Sequence, residues 1–91
     1  MYYVYILECD NAFFYVGLTS DVQRRLFQHQ NHESLHTKRY KTVKLVCTEE
    51  FYIRSDAEKR ERQLKGWSKA KKKALIQGDT KLLENLSQSK S

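Results

Sequence analysis

The chain of 91 residues contains no proline, three glycines and two cysteines. Cys9 and Cys47 form no C-x-x-C pair and no even set of spacings, which excludes a disulfide framework. We therefore expect two buried, reduced thiols in a cytoplasmic protein. His32 and His36 have H-x-x-x-H spacing, but no cysteines lie at zinc-finger distance, which argues against a structural zinc site.

Long hydrophobic segments are also missing from the sequence. The first apolar stretch, MYYVYIL, has no basic leader and is followed by Glu8 and Asp10. Neither a signal peptide nor a membrane span is expected from this pattern. A chain of this length buries one modest core. We expect a single domain over residues 1–91, with its core in about residues 2–76 and a frayed end at 84–91.

The charge balance favours an anionic partner. The net charge is +6, and 40% hydrophobic against 31% charged residues is typical of a globular chain. An excess of lysine and arginine is most often associated with nucleic-acid binding.

Periodicity and turn residues predict an α+β domain. Alternating, β-branched and aromatic residues predict strands over 2–9, 12–17 and 42–51, the first two joined by a turn at Asp10 and Asn11. Capping boxes at Ser20 with Gln23 and at Ser55 with Glu58 predict the starts of two helices. The helices are expected from Ser20 to about Gln30, from Ser55 to Gly66, from Ser68 to Ile76 and from Lys81 to Leu86. The order ββαβαα(α) predicts helices that flank a small three-stranded antiparallel sheet.

Helical periodicity separates two neighbouring arginines. Arg25 and His29 border the arc that packs on the sheet, whereas Arg24 lies about 160° from the centre of that arc and should face solvent. Arg25 either contributes to a polar site or only covers the edge of the core with its aliphatic stem.

The second predicted helix carries a carboxylate in an apolar stripe. Ala57, Glu61 and Leu64 lie within about 60° of one another, whereas Glu58 projects further away. A carboxylate in such a stripe needs a cation or a donor. A lysine or arginine would meet this need, and so would a metal ion.

The hairpin adds two tyrosines to the same region. If its loop has an odd number of residues, Tyr5 and Tyr15 lie opposite each other on one face of the sheet. Aromatic pairs of this kind commonly serve packing alone. Together with Arg25, His29 and Glu61, however, the two phenols would make an unusually polar patch for a core.

These residues resemble the pattern of the GIY-YIG nuclease superfamily. The resemblance rests on YVY at 3–5, YVG at 15–17, Arg25 eight residues beyond Gly17, and the helical Glu61. It covers residues 2 to about 76 and is strongest for small stand-alone bacterial members, which are similar to the nuclease domains of excision-repair and intron-homing endonucleases.

The sequence departs from the pattern at a few positions. Tyr3 replaces the first motif glycine, and Val4 and Val16 replace isoleucines. Many relatives carry a late polar residue, often Asn, for which Gln77 is the nearest counterpart.

The resemblance implies a compact α/β fold that cleaves DNA phosphodiester bonds with one Mg²⁺ or Mn²⁺ ion. The site residues carried over by position are Tyr5, Tyr15, Gly17, Arg25, His29 and Glu61. Arg25 would bind phosphate oxygens and Glu61 would hold the metal.

The general base is either Tyr5 or His29. Tyr5 is preferred, with Tyr15 bonded to the water or the phosphate, but its pKa would have to be lowered by Arg25 and the metal. His29 titrates closer to neutrality and could share the role. Gly17 would let the backbone approach the site closely.

Basic residues outside this patch are candidates for contacts to the DNA backbone, or form only a solvated face. They are Lys38, Arg39, Lys41, Lys69, Lys71, Lys72 and Lys73.

The sequence thus predicts a nicking or structure-selective endonuclease in DNA repair or processing. It is expected to act as a monomer or weak dimer, without a membrane or a small-molecule cofactor. Two alternatives remain: a nucleic-acid-binding module of the same fold with weak catalysis, and a partner-binding protein whose basic surface serves solubility.

Overall fold

The computed structural model describes residues 1–88 and has the predicted α+β order. The elements are β1 (Tyr2–Cys9), β2 (Phe13–Thr19), α1 (Val22–Gln30), β3 (Val43–Phe51), α2 (Arg54–Lys65), α3 (Lys69–Gln77) and α4 (Thr80–Gln88). Helix α4 ends at Gln88, and residues 89–91 of the segment 84–91 lie outside the described part. None of the helices in residues 1–88 is long and apolar enough to cross a lipid bilayer.

Strand β1 is the centre of an antiparallel sheet with the order β2-β1-β3. Both of its faces are covered, so its central residues Val4, Tyr5, Ile6 and Leu7 are all buried. One face packs against α2 and α3, and the other packs against α1 and the loop before β3. A central strand covered on both faces reads as a nearly continuous hydrophobic run, as this one does.

Asp10 holds the hairpin turn and the loop before β3 together. Asp10 and Asn11 adopt left-handed φ angles of 52° and 54°, and the Ala12 N–H closes the turn by donating to the Cys9 carbonyl oxygen at 3.1 Å. The Asp10 carboxylate also accepts the N–H groups of Lys41 and Thr42 at 2.8 and 2.9 Å, which holds the end of the 31–42 loop against the hairpin.

Two of the predicted helix starts are wrong in detail. Asp21, not Ser20, caps α1, because its carboxylate accepts the N–H of Arg24 at 3.1 Å. Helix α2 has no side-chain cap and begins at Arg54, so Ser55 lies inside its first turn. The cap at Ser68 is confirmed, since its hydroxyl accepts the N–H of Lys71.

The register of the hairpin corrects one sequence prediction. A three-residue loop joins the paired residues Cys9 and Phe13, and this register places Tyr5 opposite Gly17 and Tyr15 opposite Leu7. The direct pairing of Tyr5 with Tyr15 was therefore wrong, although both side chains lie on one face. The ring of Tyr5 lies across Gly17, where an added Cβ would overlap its Cζ and Oη atoms.

This close approach predicts that Gly17→Ala destabilises the fold. The new methyl group must displace a ring that is 2% exposed, and overpacking of this kind costs about 1–3 kcal/mol. Gly66→Ala is the matched control: an added Cβ would lie 3.5 Å from the nearest atom, the Gln63 carbonyl oxygen, and φ at Gly66 is −83°. Urea unfolding should show a loss for Gly17→Ala and little change for Gly66→Ala. Equal stability of the two variants would contradict the packing account.

Candidate active site

Tyr5 and His29 form a buried hydrogen bond at the centre of the site. Helix α1 brings His29 onto the face of the sheet that carries Tyr5, and its side chain is 0% exposed. Its Nε2 lies 2.9 Å from the Tyr5 hydroxyl, and its Nδ1 lies 2.6 Å from the Thr37 hydroxyl. Both ring nitrogens are therefore occupied, which fixes the plane and the position of the imidazole.

Burial keeps this imidazole neutral. It lowers the pKa of His29 from 6.5 to about 4, and the positive charge of Arg25 adds to the effect. A neutral imidazole donates from one nitrogen and accepts at the other. When Tyr5 donates to Nε2, Nδ1–H donates to Thr37, whose hydroxyl oxygen can accept that bond whether or not His29 is charged.

Tyr15 completes an aromatic cluster around this pair. Its ring centroid lies 6.3 Å from that of Tyr5 and 5.3 Å from that of His29. The exposed His36 stacks on Tyr15 at 5.7 Å with an interplanar angle of 26°. The cluster thus runs from a fully buried imidazole to one in contact with solvent.

Both phenols are protonated at neutral pH in this environment. Burial raises the pKa of Tyr5 and of Tyr15, the charge of Glu61 raises both further, and Arg25 only partly opposes the change. The pKa of Tyr5 thus moves opposite to what its role as a free base requires. His29 has no contact with solvent, so it can reach a substrate proton only through the Tyr5 hydroxyl.

Helix α1 places its two arginines as the helical periodicity predicts. Arg24 is exposed, whereas Arg25 is half-buried and donates from Nη1 to Gln28 at 2.9 Å. The Arg25 charge acts on Tyr5, Tyr15 and His29 together. A forked, permanent cation therefore faces the aromatic cluster, where it can bind an anion.

Glu61 approaches the cluster from helix α2. Ala57 and Leu64 on the same helix are buried, as the stripe predicts, and the Glu61 side chain is 23% exposed. The Lys65 ammonium lies 3.3 Å from the Glu61 carboxylate. A lysine one turn later therefore supplies the cation that a carboxylate in an apolar stripe needs. Lys65 is 54% exposed, which makes this a surface ion pair of small stabilising effect.

The donor set around Glu61 suits Mg²⁺ or Mn²⁺ better than zinc. Residues 1–88 contain no group of three His, Cys, Asp or Glu side chains that could hold a metal. A single carboxylate is compatible with Mg²⁺, which keeps several waters and binds through one or two carboxylates together with substrate phosphates. The weak pairing of Glu61 with Lys65 leaves that carboxylate available to such an ion.

Three residues near the site escaped the sequence analysis. Thr37 and His36 lie in the irregular 31–42 loop, where no periodicity assigns a side chain to a face. Gln28 lies three residues after Arg25, a helical spacing that could have indicated their contact. The spacing of His36 from His32 was considered only for zinc, although His36 contacts Tyr15.

Most of the basic residues proposed for DNA contacts are accessible. Exposed members are Lys38, Arg39, Lys41, Lys69 and Lys73, and Lys72 is half-buried. Lys71 is the exception, because its side chain is buried and its ammonium lies 4.3 Å from the centroid of the Trp67 ring. This cation–π contact stabilises the packing of α3, so Lys71 is not a free contact for a phosphate.

Comparison with known proteins finds similarity along most of the chain. The sequence profile of the GIY-YIG catalytic domain matches residues 1–74. A UPF0213 protein of Natronomonas pharaonis is 40% identical over 80 residues, covering 87% of this chain and 94% of its own. Another, from Halobacterium salinarum, is 41% identical over 77 residues, covering 84% of this chain and 100% of its own.

The fold also matches a solved structure. The solution NMR structure of a UPF0213 protein from Bacillus halodurans aligns with a TM-score of 0.55 and 35% identity, over 85% of this chain and 84% of that chain.

The buried imidazole predicts a specific pH dependence of stability. The unfolded chain binds a proton at about pH 6.5 and the folded one only near pH 4, so stability falls as pH drops through this window. The difference between the two values corresponds to about 3 kcal/mol. Urea unfolding should show that the free energy of unfolding of the wild type falls between pH 7 and pH 4. In His29→Gln most of this decrease should be absent. His32→Asn, at an exposed histidine, is the control; an unchanged slope in His29→Gln would refute the assignment.

Proposed function

Because the chain belongs to the GIY-YIG catalytic domain family, we propose that it is a divalent-metal-dependent DNA endonuclease. It hydrolyses one phosphodiester bond at a time, as a nicking or structure-selective enzyme of DNA repair or processing. It acts in the cytoplasm as a monomer or weak dimer. The observation that carries the proposal is the Tyr5 hydroxyl, which is bonded to the buried His29 beside Arg25 and Tyr15.

Arg25 binds the substrate phosphate. Its guanidinium forks toward two non-bridging oxygens and neutralises charge that grows on them as water attacks. Gln28 accepts one of its N–H groups, which holds the fork in place. Tyr15 donates a further hydrogen bond to the phosphate or to the water.

Tyr5 and His29 act together on the proton of the attacking water. The water oxygen bonds to phosphorus while one of its protons moves to the Tyr5 Oη, and the phenol proton moves to His29 Nε2. The P–O bond to the 3′-oxygen breaks, and that oxygen takes a proton from solvent. Thr37 accepts from Nδ1–H throughout, and it therefore stabilises the imidazolium that forms.

Glu61 is the residue that holds Mg²⁺ or Mn²⁺. When bound, such an ion supplies charge neutralisation at the phosphate oxygens. The surface position of Lys65 supports this role, because Lys65 can turn to solvent and leave the carboxylate free.

One observation favours the alternative of a nucleic-acid-binding module with weak catalysis. Both phenols have a raised pKa and His29 a lowered one, so no group in the site is an effective base at neutral pH without its substrate. The negative charge of a bound phosphate favours the imidazolium, which is why we prefer the enzyme.

Nicking of supercoiled plasmid separates the two functions and tests Glu61. With Mg²⁺ or Mn²⁺ the wild type should form open circles, and with EDTA it should bind DNA without cutting. Glu61→Gln should abolish the metal-dependent nicking while DNA binding in EDTA persists. It should also leave stability nearly unchanged, because Lys65, the ion-pair partner of Glu61, is 54% exposed and can turn to solvent.

Glu58→Gln is the matched control on the same helix. Glu58 forms a surface ion pair with Arg54 at 3.5 Å, so this variant should nick like the wild type. Full nicking by Glu61→Gln would contradict the metal assignment. Tight DNA binding with no cleavage by the wild type in either metal would favour the binding module.

A further inference from the structure

A cleft lies at the tip of the hairpin, where β2 follows the turn. It has a volume of about 310 Å³ and is lined by Ala12, Phe13, Phe14, Tyr40, Lys69 and Lys72. Three aromatic residues and two lysines thus line one space at the edge of the sheet. None of these residues takes part in the chemistry described above.

Phe13 is the most unusual of the lining residues. The residue is 55% exposed on the edge strand β2, although burial of an aromatic ring is strongly favourable. Tyr40 lies beside it, with ring centroids 5.5 Å apart and an interplanar angle of 35°. The two rings therefore form a partly open aromatic surface rather than a closed core contact.

Cations border this surface on two sides. Lys69 and Lys72 of α3 line the cleft itself, and the Arg39 guanidinium lies 5.0 Å from the centroid of the Tyr40 ring. Aromatic rings with cations beside them suit a ligand that has a planar ring to stack on them and a negative charge to pair with the cations. A nucleotide has them, namely a planar base and an anionic phosphate.

The position of the cleft relates it to the proposed active site. Phe13 and Tyr15 are two residues apart on β2, so their side chains share one face of the sheet at a spacing of about 7 Å. A strand whose phosphate lies at Tyr15 therefore carries a neighbouring base to Phe13.

We propose that this cleft stacks an unpaired base next to the phosphate bound at Tyr5 and Tyr15. The substrate class is then single-stranded DNA or DNA with a locally unpaired strand. A base inside a duplex has both faces covered by its neighbours and cannot lie on Phe13 without leaving the stack. The assignment rests on the proposed function for the position of the phosphate, whereas its test measures binding alone.

The test compares binding of three labelled probes by fluorescence anisotropy in EDTA. The probes are an oligothymidine of 15 nucleotides, a duplex of the same length, and a strand of 15 abasic nucleotides. Phe13→Ala should weaken binding of oligothymidine by about 5- to 100-fold, the range for loss of one stacked base. Binding of the duplex and of the abasic strand should change less than twofold. Phe13→Leu, which keeps apolar bulk without a flat ring, should lose nearly as much affinity as Phe13→Ala.

Phe27→Ala is the control, because Phe27 on α1 is an aromatic residue of similar exposure, at 61%. It should bind all three probes like the wild type. The proposal is overturned if Phe13→Ala binds oligothymidine normally, if it weakens all three probes alike, or if Phe27→Ala has the same effect. If Phe13→Ala loses affinity for oligothymidine selectively while the wild type cuts no DNA, the endonuclease proposal fails and the stacking site stands.

Discussion

The contact between the Tyr5 ring and Gly17 is the constraint on which the site depends. Because no side chain stands at Gly17, the Tyr5 ring lies against it and its hydroxyl bonds to His29. That hydrogen bond, in turn, orients an imidazole whose other nitrogen meets Thr37. The space left at Gly17 therefore permits two hydrogen bonds that connect the hairpin with helix α1, and helix α1 with the loop before β3. Sites held within packed elements in this way keep their geometry without a ligand.

The same burial that gives the site its geometry also sets its electrostatics. It raises the pKa of both phenols and lowers that of His29, so the three side chains are neutral at pH 7. Arg25 is then the main charge that faces them, and an arriving phosphate is attracted to it. The phosphate supplies the negative charge that favours a proton on His29. In this account the bound phosphate is what makes His29 basic enough to accept the proton, so the site has no effective base until DNA is bound.

Residues within regular elements were the easiest to place from the sequence. The 100° step of an α-helix separates Arg24 from Arg25 and places Glu61 beside Ala57 and Leu64, and burial in the structure agrees with both. The alternation of β1 and β2 likewise put Tyr5 and Tyr15 on one face. Their register was missed, because alternation gives the face of a side chain and only the closed turn decides its partner.

Irregular segments and local competition explain the remaining differences. Thr37 and His36 lie in a loop without a period, so nothing in the sequence pointed them at the site. Ser20 and Asp21 are adjacent residues that can both cap a helix, and only the backbone angles select Asp21. Lys71 was grouped with its neighbouring lysines, although Trp67, which lies in the turn just before α3, packs its ring against the Lys71 ammonium.

The central claim is that the Tyr5 hydroxyl takes part in the chemistry and does not merely pack. Tyr5→Phe keeps the ring across Gly17 and removes only the oxygen atom, so it tests this claim most directly. The measurement is the single-turnover rate of plasmid nicking in Mn²⁺, with DNA binding in EDTA measured on the same preparation. The account predicts that Tyr5→Phe binds DNA like the wild type and nicks about 10² or more times slower. A nicking rate within a few-fold of the wild type would contradict it.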